Sequence, residues 1–367
     1  MRGLRTFATK LLLFLAPFFA LLLVQQFVLP PDYFCFRCWE AMSPSWRVAR
    51  FMPGPFYPLT RMQKTEQGDL AYYTPYAVKK EVVWQTDRYG FRNQDDSNPV
   101  FDVVIVGDSN GVGTGLTQSE TLSEVLARES GLRVYTYASS NNAVVPFLAE
   151  KRFRDAPPRI VVLQCVERMI GSLNAGVASA EVREHPLYGA ATVSLLRGID
   201  RCAKMPVFHY SRARTRELLR DGIDTMLGKS TNESALPYGS VWANDRSMIF
   251  IHGSGYRELG PGEVERAAQN IVTLRQLIEA RGSRFIFLPI PEKANVYHAK
   301  FGDGRKPVYL PALQQRLKEL GVPFVPMQEA FENARESAPE LLFLFDDTHW
   351  SPRGVQVAVD ALIPMLK

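Results

Sequence analysis

The sequence predicts an α/β fold: a three-layer sandwich with a mostly parallel sheet, preceded by one N-terminal transmembrane helix. Two patterns carry this prediction. From about residue 100 onward, short and continuously apolar runs alternate with amphipathic helical patterns. This alternation is typical of a parallel sheet whose two faces are covered by helices. Before it, residues 11–30 are almost wholly apolar, and about 20 such residues can cross a bilayer as a helix.

The N-terminal residues have the pattern of a membrane anchor. Residues 1–10 form a basic flank that carries Arg2, Arg5 and Lys10 and no acid, and such flanks stay cytoplasmic. No small-x-small cleavage site follows the apolar run, which favours an uncleaved anchor over a cleaved signal peptide. We therefore expect a single-pass membrane protein, held through residues 11–30, with the remaining chain on the side of the membrane opposite the cytoplasm.

Residues 31–95 are predicted to form an irregular neck. The run 52–58 is rich in proline and cannot be the interior of a helix, whereas residues 81–86 and nearby aromatic residues suggest one or two short strands. Cys35 and Cys38 have neither the surroundings of a redox motif nor a second pair of zinc ligands. They are expected to form a local disulfide or to remain two free thiols.

Residues 96–367 are predicted to form the main α/β domain. Its strands are expected at 101–106, 133–137, 160–165, 284–289, 323–326 and 341–345. Its helices are expected at 121–130, 145–153, 261–281, 310–320 and 352–366. The alternation breaks between about 170 and 250, and we interpret this stretch as an insertion that covers the site or docks a partner. Within it, the pattern predicts a basic helix at 212–227 and a strand at 248–252.

Two short motifs follow apolar runs of this domain. Gly107-Asp108-Ser109 comes after the first core strand, and 346–350, Asp-Asp-Thr-His-Trp, comes after the last one. A serine hydroxyl is a weak nucleophile until a histidine takes its proton and a carboxylate orients the imidazole. Either motif alone could be a turn or a helix cap. Together, at strand-to-helix junctions, they indicate a serine site at the carboxyl edge of a parallel sheet.

The two motifs resemble those of the SGNH (GDS) hydrolases, which have an early Gly-Asp-Ser nucleophile and a close Asp–His pair near the C-terminus. The Asp-Thr-His-Trp form resembles the branch that includes the periplasmic alginate O-acetyltransferases, as do 164–168 and 288–293. The resemblance covers residues 85–367. It departs from the alginate enzymes in motif order, since those run Asp-His first and Ser later. This chain also has no clear counterpart of the family's usual Gly-x-Asn-Asp motif. Glu167-Arg168 stands near the position where that motif would be.

A rival interpretation of the serine motif is the nucleophile elbow of α/β-hydrolases, because 107–111 also fits Gly-x-Ser-x-Gly. That fold places several strands before its elbow and separates the acid from the histidine by a longer stretch. Here the serine follows the first core strand, and the acid and histidine are two or three residues apart. The SGNH arrangement therefore fits the sequence better.

These motifs assign roles to particular residues. Ser109 is the expected nucleophile, and His349 its general base and then general acid. Either Asp346 or Asp347 should orient the imidazole: the general SGNH spacing, Asp-x-x-His, selects Asp346, whereas the alginate-type Asp-x-His selects Asp347. The following Trp350 matches the alginate-type form, so we expect Asp347 to be the orienting acid.

The tetrahedral intermediate of acyl transfer needs hydrogen-bond donors for its oxyanion. The backbone N–H of Ser109 is one candidate. A second donor should come from the segment after the second core strand. The candidates there are the Asn142 side chain and the N–H of Ala143. No cofactor is expected. The remaining histidines have no partner at metal-ligand spacing, so no metal site is expected either.

The resemblance implies an O-acetyltransferase that acts on a cell-envelope or secreted polysaccharide. With the predicted anchor, it implies a single-pass protein of the bacterial inner (cytoplasmic) membrane whose catalytic domain lies in the periplasm. It also implies a multi-spanning membrane acyltransferase as a partner that carries acetyl across the bilayer. Two alternatives stay open: an O-acetyl esterase of the same fold, and a non-catalytic accessory protein of a polysaccharide modification complex. The net charge of +5 is mild and its basic residues are scattered, which gives no support to nucleic-acid binding.

Overall fold

The computed structural model describes residues 2–30, 33–141, 143–173, 186–204, 239–254, 259–337 and 340–367, together with isolated residues between 182 and 237. The described strands are β1 (Arg61–Glu66), β2 (Lys80–Gln85), β3 (Val103–Gly107), β4 (Val134–Ala138), β5 (Ile160–Val166), β6 (Ser240–Trp242), β7 (Ile249–Ile251) and β8 (Arg284–Ile290).

The described α-helices are α1 (Arg2–Phe27), α2 (Cys38–Met42), α3 (Trp46–Ala49), α4 (Ser109–Val112), α5 (Leu122–Ser130), α6 (Val144–Ala149), α7 (Lys151–Asp155), α8 (Glu167–Ile170), α9 (Ala190–Lys204), α10 (Glu263–Glu279), α11 (Lys293–Val296), α12 (Tyr309–Glu319), α13 (Met327–Ser337) and α14 (Pro352–Leu362). Short 3₁₀ turns lie at Gln118–Glu120, His298–Lys300 and Ile363–Leu366.

The N-terminal helix α1 is long and apolar enough to span a membrane. Within its segment Gly3–Phe27, an 18-residue window has a mean hydropathy of 2.3, and none of that window is buried. A retained anchor and a signal sequence share these properties. Length and composition therefore identify a candidate span.

The central sheet has the strand order β4-β3-β5-β8, and all of its described pairs are parallel. Along β3, Val103 and Ile105 point into one hydrophobic cluster, and Val104 and Val106 into another. The first cluster holds apolar residues of α5, α13 and α14, and the second those of α6, α10 and α12. Helices therefore cover both faces, which confirms the predicted α/β sandwich and explains the continuous apolar strands.

The neck contains an antiparallel pair, β1 with β2, as the sequence suggested. Trp84 of β2 is fully buried beside Phe56, and the Arg92 guanidinium lies 4.0 Å from its ring centroid. The same cluster includes Val112, just after the serine motif. The neck is thus packed against the loop that carries Ser109.

Some sequence predictions were wrong in detail. The segments predicted as strands at 323–326 and 341–345 form single bridges, Phe287–Phe324 and Phe343–Trp350. The second bridge is antiparallel because the chain turns back: the Leu344 N–H donates to the His349 carbonyl at 3.0 Å. The predicted helix 145–153 is divided into α6 and α7 at Glu150, whose backbone is extended.

In the insertion, β7 lies within the predicted strand at 248–252 and pairs with β6. The helix α9 of the insertion was not predicted, and neither were α2 and α3 in the neck or α13 near the C-terminus. Most of the predicted basic helix at 212–227 lies outside the described residues.

Candidate active site

Ser109 lies at the point of the sheet where the strand order reverses. The strand β3 that precedes it is flanked by β4 on one side and β5 on the other, so the chain leaves it toward opposite edges and a crevice forms at the carboxyl ends. Asp108 caps the short helix α4, its carboxylate accepting the Asn110 N–H at 2.9 Å. Ser109 is therefore the first residue of α4, and it is partly exposed.

The residues before Ser109 are fixed by Gln164 on the neighbouring strand. Its side-chain amide donates to Asp108 Oδ1 at 3.0 Å and accepts the Asp108 N–H at 3.1 Å. The Val166 N–H donates to Asp108 Oδ2 at 2.7 Å. A Cβ at Gly107 would lie 2.3 Å from Gln164 Oε1. The Gly and Asp of the motif thus hold the turn that presents Ser109.

The structure brings Ser109 and His349 together across 240 residues of sequence. Ser109 Oγ lies 2.8 Å from His349 Nε2, and His349 Nδ1 lies 2.6 Å from Asp347 Oδ1. A carboxylate only accepts hydrogen bonds, so Nδ1 carries the proton and Nε2 faces the serine hydroxyl as an acceptor. His349 and Asp347 are buried. The arrangement is that of a hydroxyl nucleophile, a base and an orienting acid.

Asp346 is turned away from the imidazole and toward the neck. Its Oδ2 accepts the Gly68 N–H at 3.0 Å and the Val78 N–H at 2.7 Å. A Cβ at Gly68 would lie 2.0 Å from the Asp346 carbonyl oxygen, so only glycine fits this contact. Of the two adjacent acids, the geometry places Asp347 on His349 and gives Asp346 a contact to the neck.

Arg37, in the neck, also contacts Asp347, and no pattern in the sequence marked this residue. It is 2% exposed, forms an ion pair with Asp347 Oδ2, and donates from Nε to the Gln67 carbonyl at 3.2 Å. Burial alone would raise the pKa of Asp347, but Arg37 and then His349 hold it well below its usual value. Asp347 is therefore an ionised carboxylate with one oxygen on the His349 imidazole and the other on the Arg37 guanidinium.

Asp69, also from the neck, binds the residue before the histidine. It accepts the Thr348 N–H at 3.0 Å and the Thr348 hydroxyl at 2.8 Å. Asp69, Asp347 and His349 offer oxygen and nitrogen atoms within 4.8 Å of one another, a spacing a metal could use. The Arg37 guanidinium is paired with Asp347 and lies 3.8 Å from Asp69, so it already supplies positive charge there.

Lys293 fastens the loop that carries Asp347 and His349. This residue is 4% exposed, and burial lowers the pKa of its amine to about 8, while Asp347 opposes the shift. Its Nζ lies within 3.1 Å of the carbonyl oxygens of Ile249, Leu344, Phe345 and Asp347. One side chain thus joins β7 to the loop. The sequence of 288–293 is part of the resemblance to the alginate O-acetyltransferases, but the contacts of Lys293 could be seen only in the structure.

We expect Lys293→Met to lower the free energy of unfolding by at least about 3 kcal/mol, because it leaves several buried carbonyls without a donor. Lys300→Met is the matched control: Lys300 is 41% exposed in its side chain and pairs with Asp245 at 3.0 Å, a contact worth roughly 0–1 kcal/mol. Urea unfolding of both variants measures the difference. Equal effects would contradict the role assigned to Lys293.

The candidate oxyanion donors are only partly described. Among the described residues, none accepts a hydrogen bond from the Ser109 N–H, which leaves it available to a substrate oxygen. Ala143 is buried just before α6, and Asn142 lies outside the described residues. Arg168, near the position of the family's Gly-x-Asn-Asp, donates from Nη1 to Glu292 at 2.9 Å.

Cys35 and Cys38 do not form a disulfide with each other. The Cys38 N–H donates to Glu66 Oε1 at 2.6 Å, and burial raises the pKa of the Cys38 thiol well above its ordinary value. A thiol of raised pKa is a poor nucleophile. The segment's contribution to the site is therefore Arg37, which lies between the two cysteines.

The sequence and the structure were compared with those of known proteins. Residues 253–367 match the family model of the SGNH hydrolase-like domain of the acetyltransferase AlgX. This range contains Asp347 and His349 but not Ser109. No curated protein matches the sequence. Together with the parallel sheet, the family match shows an SGNH-like α/β fold.

Two solved structures are similar at low identity. The crystal structure of TesA aligns at 13% identity and a TM-score of 0.34, over 72% of this chain and 97% of that one. A "putative acylhydrolase" from Bacteroides fragilis NCTC 9343 aligns at 13% identity and a TM-score of 0.34, over 76% of this chain and 91% of that one. Similarity at this level assigns no reaction.

Proposed function

We propose that this protein is a membrane-anchored serine acyltransferase that O-acetylates a cell-envelope or secreted polysaccharide. The observation that carries the proposal is the hydrogen-bonded series Ser109, His349 and Asp347, with distances of 2.8 and 2.6 Å. The match of residues 253–367 to the AlgX domain supports acetyl transfer as the reaction class.

The proposed chemistry uses these three side chains in two steps. Ser109 Oγ attacks the carbonyl carbon of an acetyl ester while His349 Nε2 takes its proton, and the collapse of the intermediate returns that proton to the departing alcohol. The acetyl group is then an ester on Ser109. A sugar hydroxyl, deprotonated by His349, attacks the carbonyl carbon of this ester. The bond between Ser109 Oγ and the acyl carbon then breaks, His349 returns the proton to Ser109 Oγ, and the acetylated sugar leaves. The Ser109 N–H donates to the oxyanion in both steps.

We also propose that α1 is retained as an anchor. Gln25, in its last turn, is 2% exposed, and its Oε1 accepts the Val207 N–H at 3.0 Å. The Arg201 guanidinium of α9 donates to carbonyls at the end of α1, including those of Gln25 and Pro30. A cation at these carbonyls satisfies the helix end and complements its dipole. Such contacts between α1 and the folded domain favour a retained helix over a removed signal.

This topology predicts that protease added to intact spheroplasts digests the chain beyond residue 40, because the basic flank holds the N-terminus in the cytoplasm. Immunoblotting with an N-terminal tag should leave a small protected fragment in the membrane fraction. Digestion after detergent lysis should remove that fragment as well and serves as the control. Full protection of a membrane-bound chain in intact spheroplasts would contradict the topology.

The proposed donor is a multi-spanning membrane acyltransferase that brings acetyl across the bilayer, and the proposed acceptor is the polysaccharide. With p-nitrophenyl acetate as a substitute donor, release of p-nitrophenol by the full-length protein reports Ser109 acylation. Acetyl recovered on an added oligosaccharide identifies a transferase, and acetate alone identifies an esterase. A folded protein that does neither would be the accessory protein, an alternative kept open by Glu167-Arg168 in place of Gly-x-Asn-Asp.

A further inference from the structure

A cavity of about 280 Å³ lies where the end of α1 meets the neck and the insertion. It contains none of the residues of the serine site. Its walls include Gln26, Cys35, Glu40, Arg197, Arg201 and Lys204. Ligand pockets for drug-sized molecules usually start at about 300 Å³, so the space suits a small group rather than a sugar chain.

The cavity carries an excess of positive charge. Arg197, Arg201 and Lys204 face one acid, Glu40. Burial raises the pKa of Glu40 to about 7, so this carboxyl is only partly ionised near neutral pH. The net charge of the cavity wall is therefore positive.

Arg197 is the cation whose charge the described structure leaves uncompensated. Lys204 has Asp200 at 3.7 Å, and Arg201 binds carbonyls of α1. Within the described part of the chain, the Arg197 guanidinium has the Tyr57 ring at 5.3 Å and no acidic or carbonyl partner. Burial, together with Arg201, lowers the pKa of Arg197. A half-buried guanidinium is usually paired, which points to an anion from outside the chain.

The surroundings of the cavity are those of a membrane surface. Gln26 belongs to the last turn of the candidate span, so the cavity lies at the depth where the apolar helix ends. Leu195 and Ile199, four residues apart on α9, are 65% and 55% exposed. Trp46 is 77% exposed with the Arg47 guanidinium 5.2 Å from its ring. Exposed tryptophan, aliphatic and basic side chains are typical of the bilayer interface.

We propose that this cavity binds the phosphate group of an anionic membrane lipid, with Arg197 as its main ligand and the Ser194 hydroxyl one turn away on the same face of α9. The inference rests on the proposed retention of α1 in the membrane. A phosphate oxyanion accepts two parallel N–H bonds from a guanidinium, and its charge balances the excess on the wall. The lipid headgroup thereby fixes the insertion against the bilayer.

Two variants test separately whether binding needs the positive charge of Arg197 and whether it needs the open volume of the cavity. Arg197→Gln removes the guanidinium. Gly198→Leu fills the cavity while all three cations stay, because a Cβ at Gly198 would meet nothing within 4 Å and leucine is a better helix former than glycine. Arg128→Gln is the matched control, since Arg128 lies on α5 with a side chain 57% exposed.

Cys35, in the cavity wall, supplies the readout. Cys38 and Cys165 are buried and Cys202 is exposed, so a Cys202→Ser background makes Cys35 the accessible thiol. Maleimide labelling of the full-length protein in maltoside micelles is followed alone and with phosphatidylglycerol, phosphatidylcholine or inorganic phosphate. Phosphatidylglycerol is expected to slow the labelling of Cys35 about tenfold, a protection equivalent to about 1.4 kcal/mol. Arg197→Gln and Gly198→Leu should restore the unprotected rate, and Arg128→Gln should not.

Several outcomes would overturn the proposal. Equal protection by inorganic phosphate would assign the cavity to a soluble anion, and equal protection by phosphatidylcholine would remove the requirement for an anionic lipid. No protection, or protection that survives both α9 variants, would exclude this cavity as the site. The labelling does not depend on Ser109, so a Ser109→Ala protein should behave identically. Intact mass establishes that α1 is present, which separates failure of the anchor from failure of the cavity.

Discussion

Replacing Ser109 with alanine should lower the rate of ester cleavage by several orders of magnitude, on the order of 10⁴–10⁶ as for other serine nucleophiles. The hydroxyl is the only group of the series placed to bond to an acyl carbon: its Oγ lies 2.8 Å from His349 Nε2 and it is partly exposed. Hydrolysis of p-nitrophenyl acetate by the purified full-length protein measures the loss. The wild-type protein should also form an acetyl ester on Ser109 that mass spectrometry detects.

The substitution should leave the fold intact. Asp108, not Ser109, caps α4, so the alanine loses one hydrogen bond, worth about 1 kcal/mol. Ser130→Ala is the matched control, because the Ser130 hydroxyl donates to the Leu126 carbonyl within α5 and lies outside the site. A folded Ser109→Ala protein that is still active would contradict the role of Ser109 as nucleophile. The non-catalytic accessory protein would then be the preferred hypothesis.

The core of the fold could be predicted from the sequence because the local conformation that its residues favour is also the one that the tertiary structure requires. Val103 to Val106 are apolar at every position, as a strand buried on both faces requires. Gly131 ends α5 with a positive φ of 70°, the conformation that makes glycine a common helix stop. Local pattern and tertiary environment agree at these positions, so the pattern was sufficient.

The run at 341–345 shows where a local pattern is insufficient. Five largely apolar residues fit a buried strand, but short apolar runs do not identify their partner. Here the partner is the chain's own continuation, because Ser351 N–H donates to the Leu342 carbonyl at 2.9 Å. Gly354 of α14 packs so closely on this segment that its Cβ would lie 2.2 Å from the same oxygen. The turn and the packing of α14 therefore use the backbone groups of this segment that a neighbouring strand would need for hydrogen bonds.

The neck residues of the site could not be predicted for a related reason. Arg37 and Asp69 belong to irregular segments 310 and 279 residues before the groups they bind. No periodicity marks them, and an arginine or an aspartate in a loop is ordinarily solvated. Their role follows from the docking of the neck against the domain, which only the tertiary structure specifies.

The second large effect is expected at Asp347. Asp347→Asn should lower the rate of ester cleavage about 10⁴-fold, the loss typical when the acid that fixes the histidine tautomer becomes an amide. Asparagine can donate to Nδ1, which would place the histidine proton on Nε2, facing the serine. Asp346→Asn should change the rate by about tenfold at most, equivalent to 1.4 kcal/mol of barrier, because its contacts are the backbone N–H groups of Gly68 and Val78.

Stability must be separated from rate in this comparison. Asp347→Asn leaves Arg37, 2% exposed, with only the more distant carboxylate of Asp69 at 3.8 Å, so the loss approaches the roughly 3–5 kcal/mol of a broken buried pair. The double variant Arg37→Gln/Asp347→Asn removes this poorly compensated charge and should recover part of that stability. Its rate should stay as low as that of Asp347→Asn, because the tautomer is still wrong. Recovery of the rate in the double variant would mean that the single variant was only unfolding.

The stability difference should also depend on pH in a defined direction. The pKa of Asp347 in the folded protein lies well below its ordinary value, since Arg37 and His349 outweigh the effect of burial. A depressed carboxyl pKa contributes stability above the unfolded value, about 3.9, and loses it as pH falls toward the folded value. The gap in unfolding free energy between wild type and Asp347→Asn should therefore be constant near neutral pH and shrink below about pH 4.

The two acids finally test which geometry the site uses. If Asp347 orients His349, as the 2.6 Å distance to Nδ1 indicates, the rate loss belongs to Asp347→Asn, and Asp346→Asn mainly loosens the contact to the neck. A larger rate loss at Asp346, with both variants folded by circular dichroism, would require Asp346 to replace Asp347 at the imidazole. That exchange would break the Arg37–Asp347 ion pair and expose the Gly68 N–H, so it would also appear as a difference in stability.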